Sequence, residues 1–148
     1  MVQQIISDTA PDIIYPESDG KPIADNTKQF RWIVTIKENL EIVFASIADV
    51  FVAGDLLWYP VKGNKNLCQA PDVLVVFGRS KGDRGSYKQW EENNIPPQVV
   101  FEILSPSNTT KEMTSKLFYR KRGYVVFGEL PNFPQGYSRF FLKKELQN

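Results

Sequence analysis

The feature that most constrains this chain is a set of short extended runs with almost no polar face. From Asp49 to Pro60, Val50, Val52, Leu56 and Trp58 alternate with Phe51, Ala53, Leu57 and Tyr59. Both faces of such a strand are apolar, so it must be covered on two sides. A second run centres on Val73, Leu74, Val75 and Val76, and a third extends from Val99 to Leu104 before Ser105-Pro106. Helices supply the cover. Asp25 or Asn26 can cap a helix starting near Thr27, and Phe30, Ile33, Val34, Leu40, Val43, Phe44 and Ile47 carry its apolar spacing to about Ala48. A last helix starts at Thr109, three residues before Glu112, presents Met113, Leu117 and Arg120 on one face, and stops at Gly123. The order helix, three strands, helix, then a weak strand at Tyr124–Phe127 predicts a mixed α/β core, helix on sheet. At 148 residues one domain is expected over 1–148, with an irregular arm at 1–24 and an atypical tail at 124–148.

What the chain lacks restricts its chemistry. There is no histidine, which excludes Ser-His-Asp triads, Cys-His dyads and histidine general bases. The single cysteine, Cys68, excludes an internal disulfide and reads as an inert thiol. Carboxylates, lysines, hydroxyls or a bound cation remain. The net charge of +1 does not by itself point to nucleic acid. No apolar stretch approaches the ~20 residues of a membrane span, and no secretory signal opens the chain, so a cytoplasmic location is expected.

Three carboxylates stand out of place. Asp55, Asp72 and Glu102 lie in or beside the apolar strands. A buried, unpaired carboxylate costs several kcal/mol, so each needs a partner or a cation, unless it faces solvent at a strand edge. Glu102, within V-V-F-E-I-L-S-P, has the fewest polar surroundings, and Asp72, after Pro71, comes second. Two carboxylates on neighbouring strands can share one Mg²⁺, which prefers oxygen ligands and keeps several waters. Lys116 lies on the last helix at the border of its apolar face. It is either a lysine laying its stem on the core or an amine within reach of the acids. Together these residues suit phosphodiester hydrolysis with Mg²⁺ or Mn²⁺ and without histidine. Residues 78–94 interleave Arg79, Lys81, Arg84 and Lys88 with Tyr87 and Trp90. Such a loop can meet phosphates and bases, or it can be a solvated excursion or a subunit contact, with Glu91 and Glu92 offsetting its charge.

The runs P-D-V-L-V-V-F-G at 71–78 and V-V-F-E-I-L-S-P at 99–106, followed by a lysine on the next helix, resemble the Uma-type restriction-endonuclease family. That family belongs to the PD-(D/E)XK nuclease superfamily. The resemblance covers roughly residues 15 to 122, and G-D-L-L-W-Y-P at 54–60 and G-R-S-K-G-D-R-G-S-Y-K-Q-W at 78–90 are also typical of one branch. It implies a restriction-endonuclease-like fold and a metal-dependent endonuclease acting on DNA. Asp72 and Glu102 would be the metal-binding acids and Lys116 the catalytic lysine, because Leu104 stands at the third position of E-x-K. Asp55, or less convincingly Glu38 or Glu41, would be a supporting acid. The chain departs from the family after the last helix, where R-G-Y-V-V-F-G-E-L-P-N-F replaces a G-V-x-E-Y-Y strand and a D-P turn. An unpaired sheet edge or a homodimer is one expected consequence. A catalytically silent module that binds nucleic acid or its own kind is the competing expectation.

Overall fold

The computed structural model describes residues 12–104, 109–132 and 135–145. Asn26 opens the first helix, α1 (Thr27–Val43). Its side-chain oxygen accepts from the amides of Lys28 and Gln29 at 3.1 and 3.0 Å, satisfying two of the donors a helix start leaves without partners. Phe44 and Ile47 follow in tight turns, so the apolar spacing outlasts the helix.

The strand expected over 49–60 is two strands, β1 (Val50–Gly54) and β2 (Trp58–Tyr59). The break falls at Asp55, whose φ of +48° is a left-handed conformation that aspartate tolerates better than most residues. Then come β3 (Val73–Phe77), β4 (Tyr87–Lys88) with a short 3₁₀ turn at Gln89–Glu91, and β5 (Val99–Leu104). Helix α2 (Thr109–Arg120) follows, and then β6 (Val125–Leu130) and β7 (Ser138–Lys143). Gly123, at φ +80°, ends α2. Its amide bonds the Arg120 carbonyl and the Tyr124 amide bonds that of Tyr119, the paired bonds of a Schellman cap.

Five strands form one sheet in the order β1-β3-β5-β7-β6, antiparallel throughout, while β2 and β4 pair in parallel beside it. This is the mixed α+β, restriction-endonuclease-like architecture expected. Alternation along the strands gives the large sheet two buried faces. Val50, Val52, Val73, Val75 and Ile103 pack under α1 in one cluster with its Ile33. Phe51, Leu74, Val76, Val100 and Leu104 pack on the other side with Trp58, Tyr87, Tyr119 and Tyr124.

Two expectations are corrected here. The tail does not leave β5 without a neighbour: β7 pairs with it over its whole length, and Phe140 and Leu142 enter the core. Helix α2 turns Ser115 and Tyr119 inward and leaves Leu117 54% exposed and Arg120 exposed, so the face through Leu117 and Arg120 is not the buried one; the Met113 side chain lies outside the described ones. Part of the amino-terminal arm lies on the chain itself. The Tyr15 ring meets Tyr59 and Trp90 at centroid distances of 5.2 and 4.8 Å, and the Tyr59 hydroxyl donates to the Pro16 carbonyl at 2.7 Å. Residues 1–11 of the arm and the Ser105–Asn108 connection lie outside the described residues.

Candidate active site

Strand register brings the out-of-place acids together. The β1–β3 register ends at Gly54 opposite Val73, and the β3–β5 register ends at Val73 opposite Phe101. One residue further along each, Asp55 falls opposite Asp72 and Asp72 opposite Glu102. Glu102 in turn pairs with Phe140 of β7. Asp55, Asp72, Glu102 and Phe140 thus continue one row, in which Asp55 and Asp72 lie one position beyond the ends of β1 and β3.

Asp72 and Glu102 are each only 2% exposed, and both are held by bonds from the chain. The Ile103 amide donates to Asp72 Oδ2 at 2.5 Å, and the Tyr119 hydroxyl donates to Glu102 Oε1 at 2.6 Å. The Ile103 carbonyl accepts from Nε2 of the buried Gln29 at 2.9 Å, which ties α1 to the same residue. Tyr119 is fully buried, and burial first, with the nearby Glu102 charge second, pushes its hydroxyl well above the ordinary tyrosine range. It therefore keeps its proton and acts as the donor. Asp55 stands beside Asp72 through the backbone, its amide donating to the Asp72 carbonyl at 3.1 Å.

Lys116 approaches the row from α2. Its amine sits 3.8 Å above the Phe140 ring, next to Glu102 on the same side of the sheet. Glu38 and Glu41 are both bound by Lys37, at 3.0 and 3.1 Å, on α1, and Glu38 lines a pocket of about 240 Å³ together with Asp55. Among the described residues no three acidic or thiol side chains gather closely enough to hold a metal ion by themselves. The arrangement suits a two-carboxylate site, because Mg²⁺ binds through one or two carboxylates and completes its shell with water and phosphate oxygens.

A cleft of about 630 Å³ opens at the Asp55 end of the row. Asp55, Gln69, Ala70 and Ser115 line it, so it passes two residues from Asp72 and one from Lys116. Gln69 Nε2 bonds Ser115 Oγ at 3.2 Å across its wall. Cys68 also lines this cleft, and burial pushes its thiol up, away from the reactive thiolate.

The basic loop is placed differently. It leaves β3 at Phe77, the end opposite Asp72, so Arg79 begins on the order of 20 Å from the acids along the strand. Arg79 and Arg84 both bond Glu92, at 2.7 and 2.5 Å, and the Arg84 guanidinium stacks 3.9 Å from the Phe51 ring. Lys81 donates to the Val50 carbonyl at 3.3 Å, and Lys88 lies 3.6 Å from Glu91.

With this geometry in place, the comparison with known families is specific. The family model Uma2, described as "Putative restriction endonuclease", matches residues 7–125. The chain belongs to the Uma2 family. That membership carries a nuclease-like function, and the matched span contains Asp55, Asp72, Glu102 and Lys116 together with every residue of the basic loop. It stops at the first residue of β6, so the strand that flanks Glu102 on its far side lies outside it. No curated protein and no solved structure matches the chain.

Tyr119 is the site residue that sequence reasoning passed over. On the page it is one more aromatic near an apolar helix face, and nothing in its spacing tells that its hydroxyl meets a carboxylate. The one available signal was Glu102 itself, since a buried carboxylate requires a donor.

Proposed function

We propose that this chain is a metal-dependent endonuclease that hydrolyses DNA phosphodiester bonds at the row formed by Asp72 and Glu102. The observation that carries this reading is the convergence of two buried carboxylates, one from each of two adjacent strands, with a lysine from α2 on the same side of the sheet. Asp72 and Glu102 would hold Mg²⁺ or Mn²⁺, with Asp55 at the cleft end of the row. When bound, such an ion supplies Lewis acidity towards phosphate oxygens and a more acidic water.

The chain's own groups do the rest. The Ile103 amide fixes the Asp72 carboxylate, so the acid does not have to be ordered when substrate arrives. Lys116, cationic above the Phe140 ring, shields charge that builds on the phosphate or orients the attacking water. DNA approaches through the cleft beside Asp55. Within the basic loop, Lys81 and Lys88 address phosphate, because their contacts to the Val50 carbonyl and Glu91 are longer than the bonds that hold Arg79 and Arg84 on Glu92. A second copy of the chain would provide the second site needed to cut both strands.

A second reading is favoured by one specific observation. Both acids are 2% exposed and already accept bonds from the chain, as in a nuclease scaffold that has kept its acids for structure and binds nucleic acid without cutting it. Cleavage of supercoiled plasmid with Mg²⁺ or Mn²⁺ separates the two. The enzyme reading expects metal-dependent nicking that Glu102→Gln and Lys116→Ala both abolish. Nicking that survives both changes would place the activity elsewhere, and a folded, inactive protein without Asp72-dependent Mn²⁺ affinity would establish the silent scaffold.

A further inference from the structure

Glu102 reaches its place through a hydroxyl on another element, and that contact is built rather than incidental. Tyr119 sits in the last turn of α2, where its carbonyl accepts the Tyr124 amide in the Schellman cap, so its backbone is fixed at the helix end. Its ring meets Phe118 and Tyr124 at centroid distances of 5.5 and 5.6 Å. With no exposed surface and neighbours on both sides, the ring has little rotational freedom, and its hydroxyl is aimed at Glu102 Oε1.

Asp72 is held by a backbone amide, which no side-chain change can remove. Glu102, one position across the row, is held by a side chain that can be changed one atom at a time. We infer that Tyr119 is a positioning residue of the metal site: its hydroxyl fixes the rotamer of Glu102 so that the carboxylate is presented beside Asp72. This inference rests on the reading of Asp72 and Glu102 as the metal-binding pair. Tyr119 itself touches neither metal nor substrate; it acts through Glu102. Donors to a ligating carboxylate typically change metal affinity 10–100-fold when removed, which sets the size of the expected effect.

The test is Mn²⁺ binding, followed by the paramagnetic signal of free Mn²⁺, for the natural protein, Tyr119→Phe, Glu102→Gln and the double variant. Tyr119→Phe keeps the ring and deletes only the hydroxyl, and is expected to raise the Mn²⁺ dissociation constant roughly tenfold or more. A purely structural tyrosine would lower the melting temperature and leave that constant unchanged in the folded fraction. In the Glu102→Gln background the amide oxygen can still accept from Tyr119, but the ligating carboxylate is gone, so the loss of the hydroxyl should change the Mn²⁺ constant no further. The double variant leaves no buried carboxylate charge without its donor, so it remains measurable if Tyr119→Phe alone does not fold. Natural affinity in Tyr119→Phe, or a double variant weaker than Glu102→Gln alone, would overturn the positioning role while leaving the acids in place. Mn²⁺ binding indifferent to Glu102→Gln would instead remove the metal site on which the inference stands.

Discussion

At the scale of single residues, Asp72 combines two roles that can be separated. Its carboxylate accepts the buried Ile103 amide, and it is also the proposed metal ligand. Asp72→Ala strips the acceptor and leaves an N–H without a partner, at a cost of about 1–3 kcal/mol. Asp72→Asn keeps an acceptor oxygen and loses only the charge, so it should retain most of the stability that Ala gives up. Both variants should lose Mn²⁺ affinity. Thermal melts beside Mn²⁺ titrations check this: an Asn variant as unstable as Ala would show that the Ile103 bond is not what Asp72 contributes, and an Asn variant binding Mn²⁺ normally would remove it from the site. Asp72 and Glu102 were legible in sequence because a carboxylate inside an apolar run conflicts with its surroundings. Tyr119 was not, because an aromatic among apolar residues conflicts with nothing, and the direction of a hydroxyl is set only when α2 closes on β5.

At the scale of elements, the loop between β3 and β5 shows what composition leaves open. Four basic residues with aromatics read as a surface for phosphates, yet Arg79 and Arg84 fold back on Glu92, which lies eight residues beyond Arg84. Alternation could not reveal this, because the bond depends on the return of the chain through β4 and the 3₁₀ turn. Burial pushes the Glu92 carboxyl up, but the two guanidinium bonds outweigh it and its pKa lies below the ordinary value. A carboxyl depressed in the folded state adds stability above its unfolded value of roughly 4.3, and that contribution fades as pH falls through the lower folded value. Glu92→Gln should therefore be less stable than the natural protein at pH 7, by roughly 2 kcal/mol. The gap should narrow only below about pH 4. Urea midpoints measured from pH 7 to pH 3 decide it, and a gap that stays constant to pH 3 would exclude the clamp. The break between β1 and β2 was hidden for a related reason: apolar alternation runs straight through Gly54-Asp55, and only the left-handed φ at Asp55 shows the chain turning.

At the scale of the whole molecule, the family match and the sheet do not end together. The match reaches residue 125, while the sheet continues through β7, which pairs with β5 along all six of its residues. Strand β7, in the segment least recognisable by pattern, is thus inserted between the Glu102 strand and the edge strand β6. Its alternation is weak to read because Val125, Val126 and Phe127 of β6 are exposed apolar residues, whereas Phe140 and Leu142 of β7 are buried ones in a similar-looking run. Removing residues 124–148 would take Tyr124, Phe140 and Leu142 from the core and uncover the whole edge of β5. Burial of three such side chains stabilises by about 5–9 kcal/mol, which is comparable with the entire stability of a typical domain. The truncated chain should show no cooperative thermal transition and no near-ultraviolet circular dichroism, and it should bind no Mn²⁺. A truncated chain that melts cooperatively would mean that β7 is an addition to a sheet already complete at β5, and Lys116 would then keep its place without the Phe140 ring beneath it.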